Sequence, residues 1–144
     1  MQVDFYLLNT QETEDGERFV CRLTEKVFHQ HHRIFINTGN QSTSARLDKL
    51  LWTFNQGSFI PHALATSTTR FSDEKIIIGH QEIPTTASDV LINMAADVPP
   101  AHAQFSRIAE IVYNTEEHKQ VSRNRYRYYR DQGYTTSSHE ITAR

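Results

Sequence analysis

Positive and aromatic side chains are concentrated near the C-terminus, in the segment RNRYRYYRDQGY at residues 123–134. The segment holds four arginines and four of the six tyrosines, although the whole chain carries a formal net charge of −2. Arginine guanidinium groups bind carboxylates through paired hydrogen bonds, and they stack on flat groups as tyrosine rings also do. This segment is therefore the first candidate for binding chemistry.

The spacing predicts that residues 116–130 form the last helix, which Gly133 can terminate. At 100° per residue, three cations fall within about 40° of one another on its outer side: Lys119, Arg123 and Arg130. Tyr126 lies just to one side of them and Arg127 to the other. Val121 and Tyr128 point the opposite way, which predicts that they face the core.

Three interpretations of this basic face remain open from the residues alone. It can be a solvated face whose cations offset the helix dipole. It can be a docking site for an acidic peptide that ends in a bulky residue with a free carboxylate. It can also bind single-stranded nucleic acid by stacking on tyrosine. A sequence pI near 6.4 argues against a general nucleic-acid binder, which needs a broad cationic surface.

A second candidate site consists of Trp52, at the end of a predicted helix, and Phe59, seven residues later. Core packing is the default for large aromatic side chains. A tryptophan and a phenylalanine that flank a loop are also typical of a protein–protein hot spot. The sequence does not choose between the two.

Local catalytic motifs are missing from the chain. The segment NTGNQSTS has one glycine and lacks the lysine of a phosphate-binding loop, and no Gly-x-Ser-x-Gly elbow occurs. The histidines of the HQHH segment, His29, His31 and His32, fall on different sides of a helix end, and Cys21 is predicted to be a packed thiol. We therefore expect no metal, no cofactor and no catalytic residue. An α/β enzyme acting on nucleotides or nucleic acid stays the alternative, because catalytic residues can converge from distant positions.

Strand and helix patterns alternate along the first half of the chain. Strands are predicted at 3–9, 33–38, 75–81 and 90–95, and helices at 17–32 and 42–54, the second capped by Ser42 or Thr43. Residues 107–114 fit a strand or a helix, and we favour the strand. This alternation predicts an α/β fold with a mostly parallel central sheet, since parallel neighbours need a crossover.

The chain is short enough to form one domain, which we place at residues 1–134, with residues 135–144 as a frayed C-terminal tail. A single cysteine excludes an internal disulfide and favours the cytoplasm. We see no signal peptide and no apolar run long enough for a membrane span.

Five segments together resemble the chi subunit family of bacterial DNA polymerase III. They are FYLL at 5–8, RLDKLLW at 46–52, SFIPHAL at 58–64, VLIN at 90–93 and KQVSRNRYRYYRDQGY at 119–134. The order and spacing of all five carry the resemblance, and the last segment is the most specific.

The resemblance implies a Rossmann-like fold without a nucleotide-binding loop, no catalytic activity, and a role as a clamp-loader accessory subunit. It implies that Lys119, Arg123 and Tyr126 bind the acidic C-terminal tail of single-stranded DNA-binding protein, with Val112 as an apolar residue of the tail pocket. It also implies that Trp52 binds the psi subunit, together with Phe59, on a surface that can serve a repair helicase. DNA is then contacted only indirectly.

Overall fold

The fold is described from a computed structural model of the chain. The structure describes residues 1–55, 60–65, 75–80, 89–100 and 102–142. In chain order the elements are β1 (Gln2–Leu8), α1 (Thr13–His29), β2 (Ile34–Asn37), α2 (Gln41–Thr53), β3 (Ala63–Leu64), β4 (Ile76–Gly79), β5 (Val90–Asn93), a short 3₁₀ helix (His102–Gln104), β6 (Arg107–Val112), α3 (Glu116–Asp131) and β7 (Thr135–Ile141).

The described strands form one seven-stranded sheet in the order β3-β4-β2-β5-β6-β1-β7. Every pair of neighbours in this sheet is parallel. The predicted α/β fold with a parallel central sheet is therefore confirmed. Of residues 107–114, which fit either a helix or a strand, residues 107–112 form β6, an interior strand between β5 and β1, so the favoured strand is confirmed.

Helices cover both faces of the sheet because successive strand residues point to opposite sides. In β1, Phe5 packs in the core cluster that contains Tyr129 of α3. Leu8 packs instead in the cluster that contains Val20 of α1 and Leu47 of α2. Fully burying one such side chain stabilises the fold by about 1.5–3 kcal/mol. α1 and α2 thus share one face, and α3 lies on the other.

α3 follows β6 and runs back across its face of the sheet, antiparallel to the strands. Its first turns therefore lie over the carboxyl ends of β1 and β6. In open parallel α/β sheets, ligands bind preferentially outside the carboxyl ends of the strands.

The frayed tail predicted for residues 135–144 is wrong for residues 135–141, which form β7 along the whole length of β1. Residues 143–144 lie outside the described residues. Gly133, with φ +84°, lets the chain reverse after α3. Backbone hydrogen bonds then hold both ends of the strand, from Thr135 N–H to the Met1 carbonyl and from Asn9 N–H to the Ile141 carbonyl, each 3.0 Å. The segment has no apolar alternation, so its pairing depends on the backbone rather than on hydrophobic period.

The start of α2 differs from the prediction. Asn40, rather than Ser42 or Thr43, is the N-cap, and its side-chain oxygen accepts a hydrogen bond of 2.8 Å from the Thr43 N–H. Across the described ranges, no helix is both long and apolar enough to span a membrane.

Candidate functional site

α3 has favourable signals at both ends. The Thr115 hydroxyl caps its first turn by accepting a hydrogen bond of 3.1 Å from the His118 N–H. Glu116 and Glu117 lie in the first turn and Arg130 lies in the last. Negative charge at the N-terminus and positive charge at the C-terminus both interact favourably with the helix dipole. A well-capped helix presents the side chains of its outer side at fixed positions.

The side of α3 that faces the sheet is not the predicted one. Its buried residues are Ser122, Arg125 and Tyr129. Tyr128 is 41% exposed, so the prediction that it faces the core is wrong, whereas Tyr129 is fully buried. An arginine can take a core position here because it has a buried partner, Glu110.

Glu110 lies at the centre of a buried polar network that fixes α3 to the sheet. Its carboxylate accepts hydrogen bonds from Asn93 Nδ2 at 3.0 and 3.1 Å and from the Tyr129 hydroxyl at 2.5 Å. Arg125 Nε lies 3.1 Å from Oε1, close enough for an ion pair though not aligned as a hydrogen bond. Arg125 Nη1 donates to the Ala96 carbonyl at 2.7 Å.

Opposing effects act on the pKa of the Glu110 carboxyl. Burial outweighs the charge of Arg125 and the hydrogen bonds from Tyr129 and Asn93, which lower this pKa, so the pKa of Glu110 lies above its ordinary value. This network was not predicted from the sequence. The signal that could have revealed it is a glutamate among the apolar residues that follow Arg107 in the strand RIAEIV.

Lys119, Arg123 and Tyr126 come together around a cavity of about 230 Å³. The cavity lies between α3 and the ends of β1 and β6, with part of β7 at its rim. Its other lining residues are mainly apolar: Phe5, Leu7, Leu8, Val112, Tyr113, Ser122 and Ser138. The Tyr126 ring lies 5.4 Å from the ring of Phe5, so it forms a wall of the cavity while remaining partly accessible.

The two other predicted cations lie further along α3. Arg127 lines an adjoining groove with Gln120, Arg123 and Tyr126. Arg130 lies outside the described linings of both cavities, and its Nη2 atom is 3.5 Å from a carboxylate oxygen of Asp131. Arg127 thus extends the site, and Arg130 is at its periphery.

The cations at the cavity have polar neighbours rather than acidic ones. Arg123 Nη1 donates to Gln120 Oε1 at 3.2 Å, and Arg127 Nη2 donates to Asn124 Oδ1 at 2.5 Å. Within the part of the chain that the structure describes, no carboxylate lies within ion-pairing distance of Lys119, Arg123 or Arg127. The site therefore combines an apolar floor with uncompensated positive charge, which suits an anionic ligand that has an apolar end.

Trp52 belongs to a separate surface. It lies near the end of α2, on the opposite face of the sheet from α3, and 44% of it is exposed. Its ring centre is 4.1 Å from that of buried His62, whose Nδ1 and Nε2 atoms lie 2.7 Å from the Ile60 carbonyl oxygen and 2.9 Å from the Asp48 carbonyl oxygen. Phe59, its predicted companion, lies outside the described residues.

The histidines and the cysteine considered as metal ligands or reactive groups make contacts typical of a structural role. His32 Nδ1 lies 2.6 Å from a carboxylate oxygen of Asp89, and His31 has a left-handed backbone with φ 68°. Cys21 is buried, and burial raises the pKa of its thiol to about 12. The described residues contain no group of three or more His, Cys, Asp or Glu that could hold a metal ion.

Comparisons with known proteins agree with the resemblance seen in the sequence. The family described as DNA polymerase III chi subunit, HolC, matches residues 1–137. A DNA polymerase III subunit chi from Pseudomonas aeruginosa is 31% identical over 140 residues, which cover 97% of this chain and 96% of the relative. The protein of the same name from Escherichia coli K12 is 28% identical over 138 residues, covering 93% and 94%.

Among solved structures, the crystal structure of T4 UvsW is similar with a TM-score of 0.69 and 8% identity. The match covers 98% of this chain, which spans about two-fifths (41%) of that one. At this identity the likeness concerns the fold alone.

Proposed function

Because the chain belongs to the DNA polymerase III chi subunit family of replication accessory subunits, we propose that it is a non-catalytic adaptor in the cytoplasm. In this role it joins the clamp-loader part of the replicase to single-stranded DNA-binding protein by holding the acidic C-terminal tail of that protein. The observation that carries the proposal is the meeting of Lys119, Arg123 and Tyr126 around one apolar cavity.

The cavity suits a peptide that ends in a bulky apolar residue. An apolar cavity of about 150 Å³ holds benzene, so about 230 Å³ is enough for an aromatic side chain. Phe5, Leu7 and Val112 would contact that side chain, while Tyr126 would flank it. The Lys119 ammonium would meet the terminal carboxylate, and Arg123 would take the acidic side chains that precede it.

The proposed contact makes a prediction about salt. The arginine side chains are exposed, so added salt should screen them and lower both the association rate and the affinity. A flexible tail must also become ordered on binding, which keeps the affinity modest.

The test is a calorimetric titration with a synthetic acidic peptide that ends in an aromatic residue and a free carboxylate. Two matched peptides serve as controls, one lacking the last residue and one with its terminal carboxylate converted to an amide. We expect each control to bind at least tenfold more weakly. Equal affinity for all three peptides, or turnover of a nucleotide by the purified protein, would contradict the adaptor role.

A second contact, with the psi subunit of the clamp loader, is proposed through the exposed ring of Trp52, with Phe59 as its companion. The same surface could receive a repair helicase as an alternative partner. Trp52→Ala should impair pull-down of the psi subunit while leaving tail-peptide affinity unchanged, because the two sites lie on opposite faces of the sheet. Loss of both contacts with a melted fold would instead assign Trp52 to core packing.

A further inference from the structure

β7 lies at one end of the described sheet and has β1 as its neighbour on one side only. We propose that the open edge of β7 receives the acidic peptide as an additional strand that runs parallel to β7. This inference rests on the proposed function, because the peptide's last residue is taken to occupy the cavity of Lys119, Arg123 and Tyr126.

The outward-facing backbone groups of β7 can be assigned from its hydrogen bonds to β1. The Thr135 N–H donates to the Met1 carbonyl, and the Ile141 carbonyl accepts from the Asn9 N–H, so both residues direct their backbone groups toward β1. In a parallel strand, the N–H and C=O of one residue point to the same side and successive residues alternate. Thr136, Ser138 and Glu140 therefore direct their backbone groups away from β1. Such a row of groups is a template for another strand.

The edge and the cavity are continuous. Ser138 of β7 lines the cavity together with Lys119 and Arg123 of α3. A second cavity of about 560 Å³ joins Lys119 to Glu140 and Ile141. A peptide whose last side chain enters the first cavity can therefore extend along the edge of β7.

Charge sets the expected direction of the peptide. Leu7 and Val112 place the cavity at the carboxyl end of the sheet, and Glu140, in register with Leu7, lies at that end in a cavity it shares with Lys119. An acidic chain would be repelled by Glu140 and attracted by Arg127, which adjoins the cavity on the other side. The chain should thus run toward its C-terminus in the same direction as β7.

Charge also favours a peptide over a second copy of this chain. A second copy would present its own β7, TTSSHEI, which carries one carboxylate, Glu140. An acidic peptide offers several carboxylates to Arg123 and Arg127 and so neutralises these cations more fully.

The first test uses peptides that carry a single N-methyl group at successive backbone amides. A strand offers every second N–H to its neighbour, so we expect affinity to fall at least tenfold at alternate positions and less than threefold between them. A uniform response along the peptide would overturn the added strand. If the response were uniform but Arg123→Ala still weakened binding, the proposed function would stand without the added strand. If the unmodified peptide did not bind, both the added strand and the proposed function would be overturned.

The second test changes the protein. Thr136→Pro removes an outward N–H that β1 does not use, and proline is tolerated at strand edges. We expect at least a tenfold loss of peptide affinity for Thr136→Pro and less than twofold for Thr136→Ala, since the Thr136 side chain does not line the cavity, with both variants folded by thermal unfolding. Equal affinity of the two folded variants would overturn the proposal.

Hydrogen exchange on the unaltered protein provides an independent readout if Thr136→Pro does not fold. Peptide binding should slow exchange at the amides of Thr136, Ser138 and Glu140. Bound protein with unchanged exchange at these amides would overturn the proposal.

Discussion

Arg123 and Arg125 lie two residues apart in α3 and have opposite surroundings. Arg123 is exposed at the mouth of an apolar cavity, without a nearby carboxylate among the described residues. The Arg125 side chain is 7% exposed and pairs with Glu110, which is fully buried. The comparison teaches that helix phase and neighbouring strands, rather than residue type, separate an arginine that fixes the fold from one that can bind a ligand.

Arg125→Ala should have the largest effect. It leaves the charge of Glu110 buried without a cation, which costs about 3–5 kcal/mol in the free energy of unfolding. Urea unfolding checks the value, with Arg123→Ala as the matched control at less than about 0.5 kcal/mol. Equal stability of the two variants would break the comparison.

Tyr129→Phe should have the next largest effect. It removes the hydrogen bond of the Tyr129 hydroxyl to the Glu110 carboxylate, and hydrogen bonds to charged groups contribute about 1.5–3 kcal/mol. The same unfolding experiment measures the loss. Tyr128→Phe, at an exposed position of the same helix, removes only a neutral hydrogen bond of 3.2 Å between the Tyr128 hydroxyl and His102 Nε2, so it should cost less, about 0.5–1.5 kcal/mol. A stability change that is larger at Tyr128 would contradict the assignment of the buried side.

Acid should weaken the attachment of β7 through Asp4. Burial alone would raise the pKa of the Asp4 carboxyl, but hydrogen bonds from His139 and Gln2 and the charge of Arg107 outweigh burial and lower the pKa. A lowered folded-state pKa means that this stabilisation is present above the unfolded pKa of about 3.9 and is lost as pH falls through the folded value. Asp4→Asn should therefore lose less stability than the unaltered protein as the pH falls below about 4. Parallel stability curves in that range would contradict the predicted shift.

Arg130→Ala should have the smallest effect, since Arg130 lies outside the described linings of both cavities and neighbours Asp131. We expect less than a twofold change in peptide affinity, measured by calorimetry, because exposed ion pairs contribute little. A tenfold loss would extend the site by a further turn of α3.

Much of the fold was predictable because its signals are local. Apolar strands such as IIIG alternate with amphipathic helices, and that alternation indicates a parallel sheet. The shared position of Lys119, Arg123 and Tyr126 also follows from helical spacing alone.

Other features depend on distant parts of the chain and were not predictable in this way. The cavity floor combines Phe5 and Leu7 with Val112, and the resemblance suggested only the last of these. β7 was missed because backbone pairing with β1 stabilises a polar strand that shows no hydrophobic period. The core position of Tyr129 was missed because Arg125, paired with Glu110, was not expected to be buried.

The most direct test of the central claim is calorimetric titration of the acidic tail peptide into Arg123→Ala and into Arg18→Ala. Arg18 is an exposed helical arginine on the opposite face of the sheet, so both variants lose one positive charge. We predict at least a tenfold loss of affinity for Arg123→Ala, about 1.4 kcal/mol or more, and less than a twofold loss for Arg18→Ala. Equal affinity of the two folded variants would contradict the claim that Arg123 and its neighbours hold the tail.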